Sequence, residues 1–153
     1  MADGGRQLSK NEQGVMVAAA AALILSLLPW YITVTFDGKG FDTSSNAWSG
    51  YSTIGMVLLL GGAALIAIEA FSDGTLPDVV PWRLIAVVAT VFGTLLVILR
   101  ALTAGSSAPG ANVGPGWSGF LLFLTAIAVA AFAVLTFRDS EETIDLSDAN
   151  PDE

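Results

Sequence analysis

Glu69 and Arg100 are the two ionisable side chains set inside, or at the edge of, long apolar runs. Such residues are candidates for ion or proton chemistry, because an unpaired charge in hydrocarbon is expensive. Both lie near the end of their run, where a long side chain can reach polar surroundings by snorkelling. The nearest cation to Glu69 across the short turn that follows is Arg83. For Arg100 the candidate partners are the rings of Trp30, Trp48 and Trp117 by cation–π contact, or Asp37 and Asp42 by ionic contact. A proton-coupled path would require Glu69 to face a water-filled cavity instead.

The rest of the composition narrows the chemistry further. The chain has no Cys and no His, which removes disulfides, thiol redox chemistry, bis-His haem and most transition-metal sites. Lys10 and Lys39 lie outside the apolar runs, so a retinal Schiff base is excluded as well. No nucleophile–base spacing and no metal-ligand cluster is visible. Accordingly no catalytic, cofactor-binding or metal residue is assigned, and the chain is read as a non-enzyme. Without a basic patch, nucleic-acid binding has no support.

The elements that must carry these side chains are four apolar blocks, Val15 to Phe36, Thr53 to Phe71, Leu84 to Leu102 and Phe120 to Phe137. Each is close to the ~20 residues that span a hydrocarbon core of ~30 Å, and none shows a sustained polar face. The expected fold is an all-α membrane protein, a four-transmembrane-helix bundle with helices at about 15–36, 52–71, 82–103 and 118–137. A segment at 1–13 precedes the transmembrane domain at 14–138. Ser9-Lys10-Asn11-Glu12 fits a capping box at the start of the first helix. Pro29-Trp30-Tyr31 stands where a signal peptide would show a cleavage site, so the first helix is read as retained. After Pro29, YITVTF and then DGKG suit either a short extracellular β-hairpin within residues 31–42 or a helix continuing through Phe36. Pro81 suits the first position of the third helix. The loop TAGSSAPGANVGPG has neither charge nor pattern and is expected to be irregular and mobile.

Trp-Ser-Gly-aromatic occurs twice, at Trp48 to Tyr51 and Trp117 to Phe120, each ahead of an apolar run. Trp30, Tyr31, Trp48, Tyr51 and Trp117 are read as outer interface anchors and Trp82 as the inner one. Ser49 and Ser118 would cap helices two and four, with Gly50 and Gly119 allowing close approach. The repeat also suggests two parallel helical hairpins. Small residues for helix contact are Ala18, Ala22, Gly61, Gly62, Ala63, Ala67, Ala126 and Ala130. Four crossings place Arg6, Lys10, Arg83 and Arg138 on one side against Lys39 and Arg100 on the other, so both termini are expected in the cytoplasm. Residues 139–153 hold seven of the fourteen acids and no base, and are expected to form a disordered acidic tail.

LSLLPWY, NAW, LPDVVPWR, Arg100 and GPGWSGF together resemble an uncharacterised group of small four-span membrane proteins frequent in high-GC Gram-positive bacteria. The resemblance covers residues 15–137. It implies a multi-pass plasma-membrane location and no activity. The function expected is a structural or accessory subunit, its partners the lipid bilayer and either a membrane protein or a second copy. A small oligomeric transporter or channel using Glu69 and Arg100 is the alternative.

Overall fold

The structure, a computed structural model, describes residues 7–36, 43–72, 76–77, 79–105 and 109–148, the side chains of 140–148 excepted. Four helices and three short strands follow in the order α1 (Lys10–Leu27), β1 (Ile32–Phe36), β2 (Thr43–Ser45), α2 (Ser52–Phe71), α3 (Trp82–Leu102), β3 (Ala111–Pro115) and α4 (Trp117–Asp148). The fold is mostly helical, with a small antiparallel sheet in which the hairpin considered after the first helix gains a third strand.

α1 opens with the capping box: the Glu12 amide donates to Ser9 Oγ at 3.1 Å, and the Ser9 amide donates to Glu12 Oε2 at 3.0 Å. It stops at Leu27, nine residues short of Phe36. Leu28 adopts φ −71° and ψ 142°, the extended conformation forced on a residue that precedes proline. The chain then runs into β1, whose alternating β-branched residues suit a strand. β1 pairs antiparallel with β2, Ile32 opposite Ser45, and with β3, Ile32 opposite Pro115 and Phe36 opposite Ala111. The hairpin is real but its second strand lies beyond residue 42. Residues 37–42, which hold Asp37, Lys39 and Asp42, lie outside the described residues.

β3 falls in the loop expected to be irregular. Ala-Asn-Val-Gly-Pro has no strand pattern of its own, and its conformation is supplied by the ladder to β1, which is non-local in sequence. The third helix begins at Trp82, one residue after Pro81. At the far end, α4 continues through Asp148, where a disordered tail had been expected from residue 139. Extending an existing helix carries no nucleation cost, and the segment from Asp139 to Asp148 contains neither Gly nor Pro. The expectation for residues 149–153 lies outside the described residues.

The helices alternate in direction. At one end the sheet and the helix ends meet: the Ala47 amide donates to Ser26 O at 3.1 Å, the Gly116 amide to Tyr31 O at 3.0 Å, and Tyr51 and Thr103 hydroxyls lie 2.6 Å apart. At the opposite end Asn11 Nδ2 donates to Asp139 Oδ2 at 2.6 Å. The closest pairs are α2 with α3 and α1 with α4. Between α2 and α3 the backbones nearly touch, since a Cβ on Gly62 would lie 2.7 Å from Ala86 O and one on Gly93 2.5 Å from Gly55 O. Gly61, by contrast, has nothing within 4 Å of where its Cβ would be, so it is not a packing residue.

α2, α3 and α4 (over Trp117–Asp139) are long and apolar enough to cross a membrane. α1 falls short, because after its polar first turn only Val15 to Leu27 is apolar, about 20 Å of helix at ~1.5 Å per residue. Val17, Ile24, Val57, Leu95, Leu124 and their neighbours point outward and are exposed. The interior is filled by Val15, Tyr31, Met56, Leu59, Val97, Leu122 and Val129, all fully buried. Apolar side chains on the outside of spanning-length helices mark an integral membrane protein.

Candidate functional site

The candidate charges and the tryptophans lie towards the two ends of the helices. At the end away from the sheet, Arg83 Nε donates to Glu69 Oε1 at 2.6 Å, with the two side chains 23% and 32% exposed. α2 ends two residues after Glu69 and α3 begins one before Arg83, so the short turn places the pair as expected. Trp82 is half-buried beside them, its Nε1 donating to Pro77 O at 3.0 Å.

At the sheet end, Arg100 occupies the last turn of α3, where its charge also suits the helix dipole. Its Cζ lies 5.6 Å from the centroid of the Tyr51 ring. The cation–π contact expected with tryptophan is therefore made with tyrosine, and Asp37 and Asp42 lie outside the described residues. Gly50 sits against the guanidinium with φ 67°, and a Cβ there would come 3.1 Å from Arg100 Nε.

The aromatic residues at this end fall into three settings. Trp30 and Trp117, both exposed, have ring centroids 5.6 Å apart at 33°. Trp48 is half-buried and donates from Nε1 to Ser26 Oγ at 2.9 Å. Tyr31 does not sit as an interface anchor: it is fully buried, donates to Val97 O and meets Phe123 edge-on at 6.5 Å. Burial pushes its phenol up to about 12, against the smaller opposing influence of Ser52 and the Arg100 charge.

The two Trp-Ser-Gly copies are not equivalent. In the first, Gly50 makes a left-handed turn before α2, Ser49 Oγ donates to Asn46 O at 3.1 Å, and α2 has no side-chain cap. In the second, Trp117 already begins α4, and Ser118 is buried with its hydroxyl unbonded. Neither serine caps a helix: Ser49 lies two residues ahead of the N-cap position, Tyr51, and Ser118 lies inside α4. Gly119 does permit close approach, since a Cβ there would lie 2.5 Å from Tyr31 O.

Some connecting residues are not evident from the sequence. Ser26 accepts from Trp48, and Thr94 Oγ1 bridges Thr90 O at 2.8 Å and Ala126 O at 3.0 Å, linking α3 to α4. The available signal was the isolated hydroxyl residues inside apolar runs, which must find a backbone acceptor in hydrocarbon. Among the described residues, no three His, Cys, Asp or Glu side chains converge.

Comparison with protein-family models finds no match, and comparison with curated proteins finds none either.

Proposed function

We propose that the chain is a multi-pass plasma-membrane protein whose four helices all cross the bilayer, with both termini cytoplasmic. Its role is that of a non-enzymatic structural or accessory subunit, bound to another membrane protein or to a second copy. The observation that carries this reading is the placement of charge: Glu69 is neutralised by Arg83 at one end, Arg100 stands at the other, and packed apolar side chains fill the space between. The hydroxyls there turn back on backbone carbonyls. α1 lies alongside α4 from Asn11–Asp139 at one end to the sheet at the other, and Lys10 at its first position can snorkel to headgroups. The resemblance to the four-span bacterial group points to the same location.

Reconstituted in vesicles, the protein is expected to leave imposed proton and cation gradients intact. In its native membrane it should cross-link to one defined membrane protein or to itself. A saturable flux abolished by Glu69→Gln would replace this reading with that of a small oligomeric transporter or channel.

A further inference from the structure

Arg100 is held by its neighbours, and no carboxylate among the described residues neutralises it. Thr103 Oγ1 donates to Leu99 O at 2.7 Å, so its hydroxyl proton is committed and the Tyr51 hydroxyl, 2.6 Å away, must donate to it. That bond fixes the Tyr51 ring beneath the guanidinium, while Gly50, lacking a side chain, leaves the space Nε occupies. Nε is closed off from solvent and has no acceptor among the described residues. The stem is thus packed in place, and among the described residues the two terminal amino groups of the fork have no acceptor. The exposed rings of Trp30, Trp117 and Tyr51 share this end of the molecule, and such a belt lies at headgroup level. A guanidinium at that depth meets phosphate oxygens, which its planar fork can engage in pairs.

We propose that Arg100, positioned by Gly50 and Tyr51, binds the phosphodiester of an anionic phospholipid at the sheet-capped surface. The assignment rests on the membrane reading above.

The full-length chain, released from nanodiscs of mixed phosphatidylglycerol and phosphatidylcholine, can be weighed by native mass spectrometry with its retained lipid. Wild type is expected to retain phosphatidylglycerol in preference. Arg100→Gln should lose that retention several-fold, and Arg100→Lys, which keeps the charge but not the fork, should fall between. Equal retention by wild type and Arg100→Gln would overturn the assignment. In detergent, added phosphatidylglycerol should raise the wild-type Tm while inorganic phosphate at the same concentration does not. An equal rise with phosphate alone would overturn the lipid as the source of the anion.

Should Arg100→Gln fail to fold, carbon–phosphorus dipolar recoupling in the bilayer supplies an independent measure. An arginine Cζ signal dephased by lipid phosphorus, and missing in Arg100→Lys, supports the site; no such signal overturns it. A chain that stays monodisperse in plain buffer would refute the membrane reading itself, a result distinct from loss of one retained lipid.

Discussion

The phenol of Tyr31 gives the residue scale its clearest test. Its neutral form is favoured in the fold, with a pKa of about 12 against an ordinary 10. The stability it contributes is therefore complete below pH 10 and is lost as pH rises through about 12. In a Tyr51→Phe variant, which leaves Tyr31 as the only tyrosine, tyrosinate absorbance should appear only near pH 12 and together with loss of helical circular dichroism. Ionisation near 10 with the helices intact would show the phenol to be solvated. Glycines provide a second contrast. Gly93→Ala drives a methyl into the Gly55 carbonyl and the Leu59 backbone and should cost roughly 1–3 kcal/mol, whereas Gly61→Ala meets nothing and should shift stability by less than about 1 kcal/mol. Thermal unfolding in detergent separates the two. Gly61 and Gly62 look alike as letters in an apolar run; only the rotation of α2 against α3 tells them apart, and the sequence's lack of a polar face hides that rotation.

Helix ends were legible wherever local chemistry decides them. Ser9 and Glu12 announce the start of α1, and Pro29 announces its end through the extended conformation imposed on Leu28. Ser9→Ala should lower stability by roughly 0.5–2 kcal/mol, read as an earlier loss of α1 helicity in hydrogen exchange. Strands were legible only in part. β1 carries its alternation in Ile32, Val34 and Phe36, but β3 takes its shape from a partner more than seventy positions away, and no pattern in Ala-Asn-Val-Gly-Pro discloses that. The ion pair between α2 and α3 was readable for the opposite reason, since a short turn brings Glu69 and Arg83 together. A double-mutant cycle with Glu69→Gln and Arg83→Gln should give a coupling of about 1 kcal/mol; additive effects would mean that solvent screens the pair.

For the whole molecule, the alternation of helix direction makes a topological prediction. The chain has no cysteine of its own, so single substitutions report cleanly. Gln7→Cys, Val79→Cys and Thr143→Cys should react with an impermeant maleimide from one side of an oriented membrane, and Asn112→Cys from the other. Labelling of positions 7 and 143 from opposite sides would reduce the crossings to three and leave α1 on the surface. The pairing of β1 with β3 has a consequence for assembly. One strand belongs to the half of the chain that ends with α2 and the other to the half that begins with α3, so the sheet is a seam between two separately encodable pieces. Two polypeptides divided in the turn between Ser72 and Trp82, translated apart in the same cell, should recognise each other across that seam and along the glycine-lined face, and co-purify as a reconstituted whole.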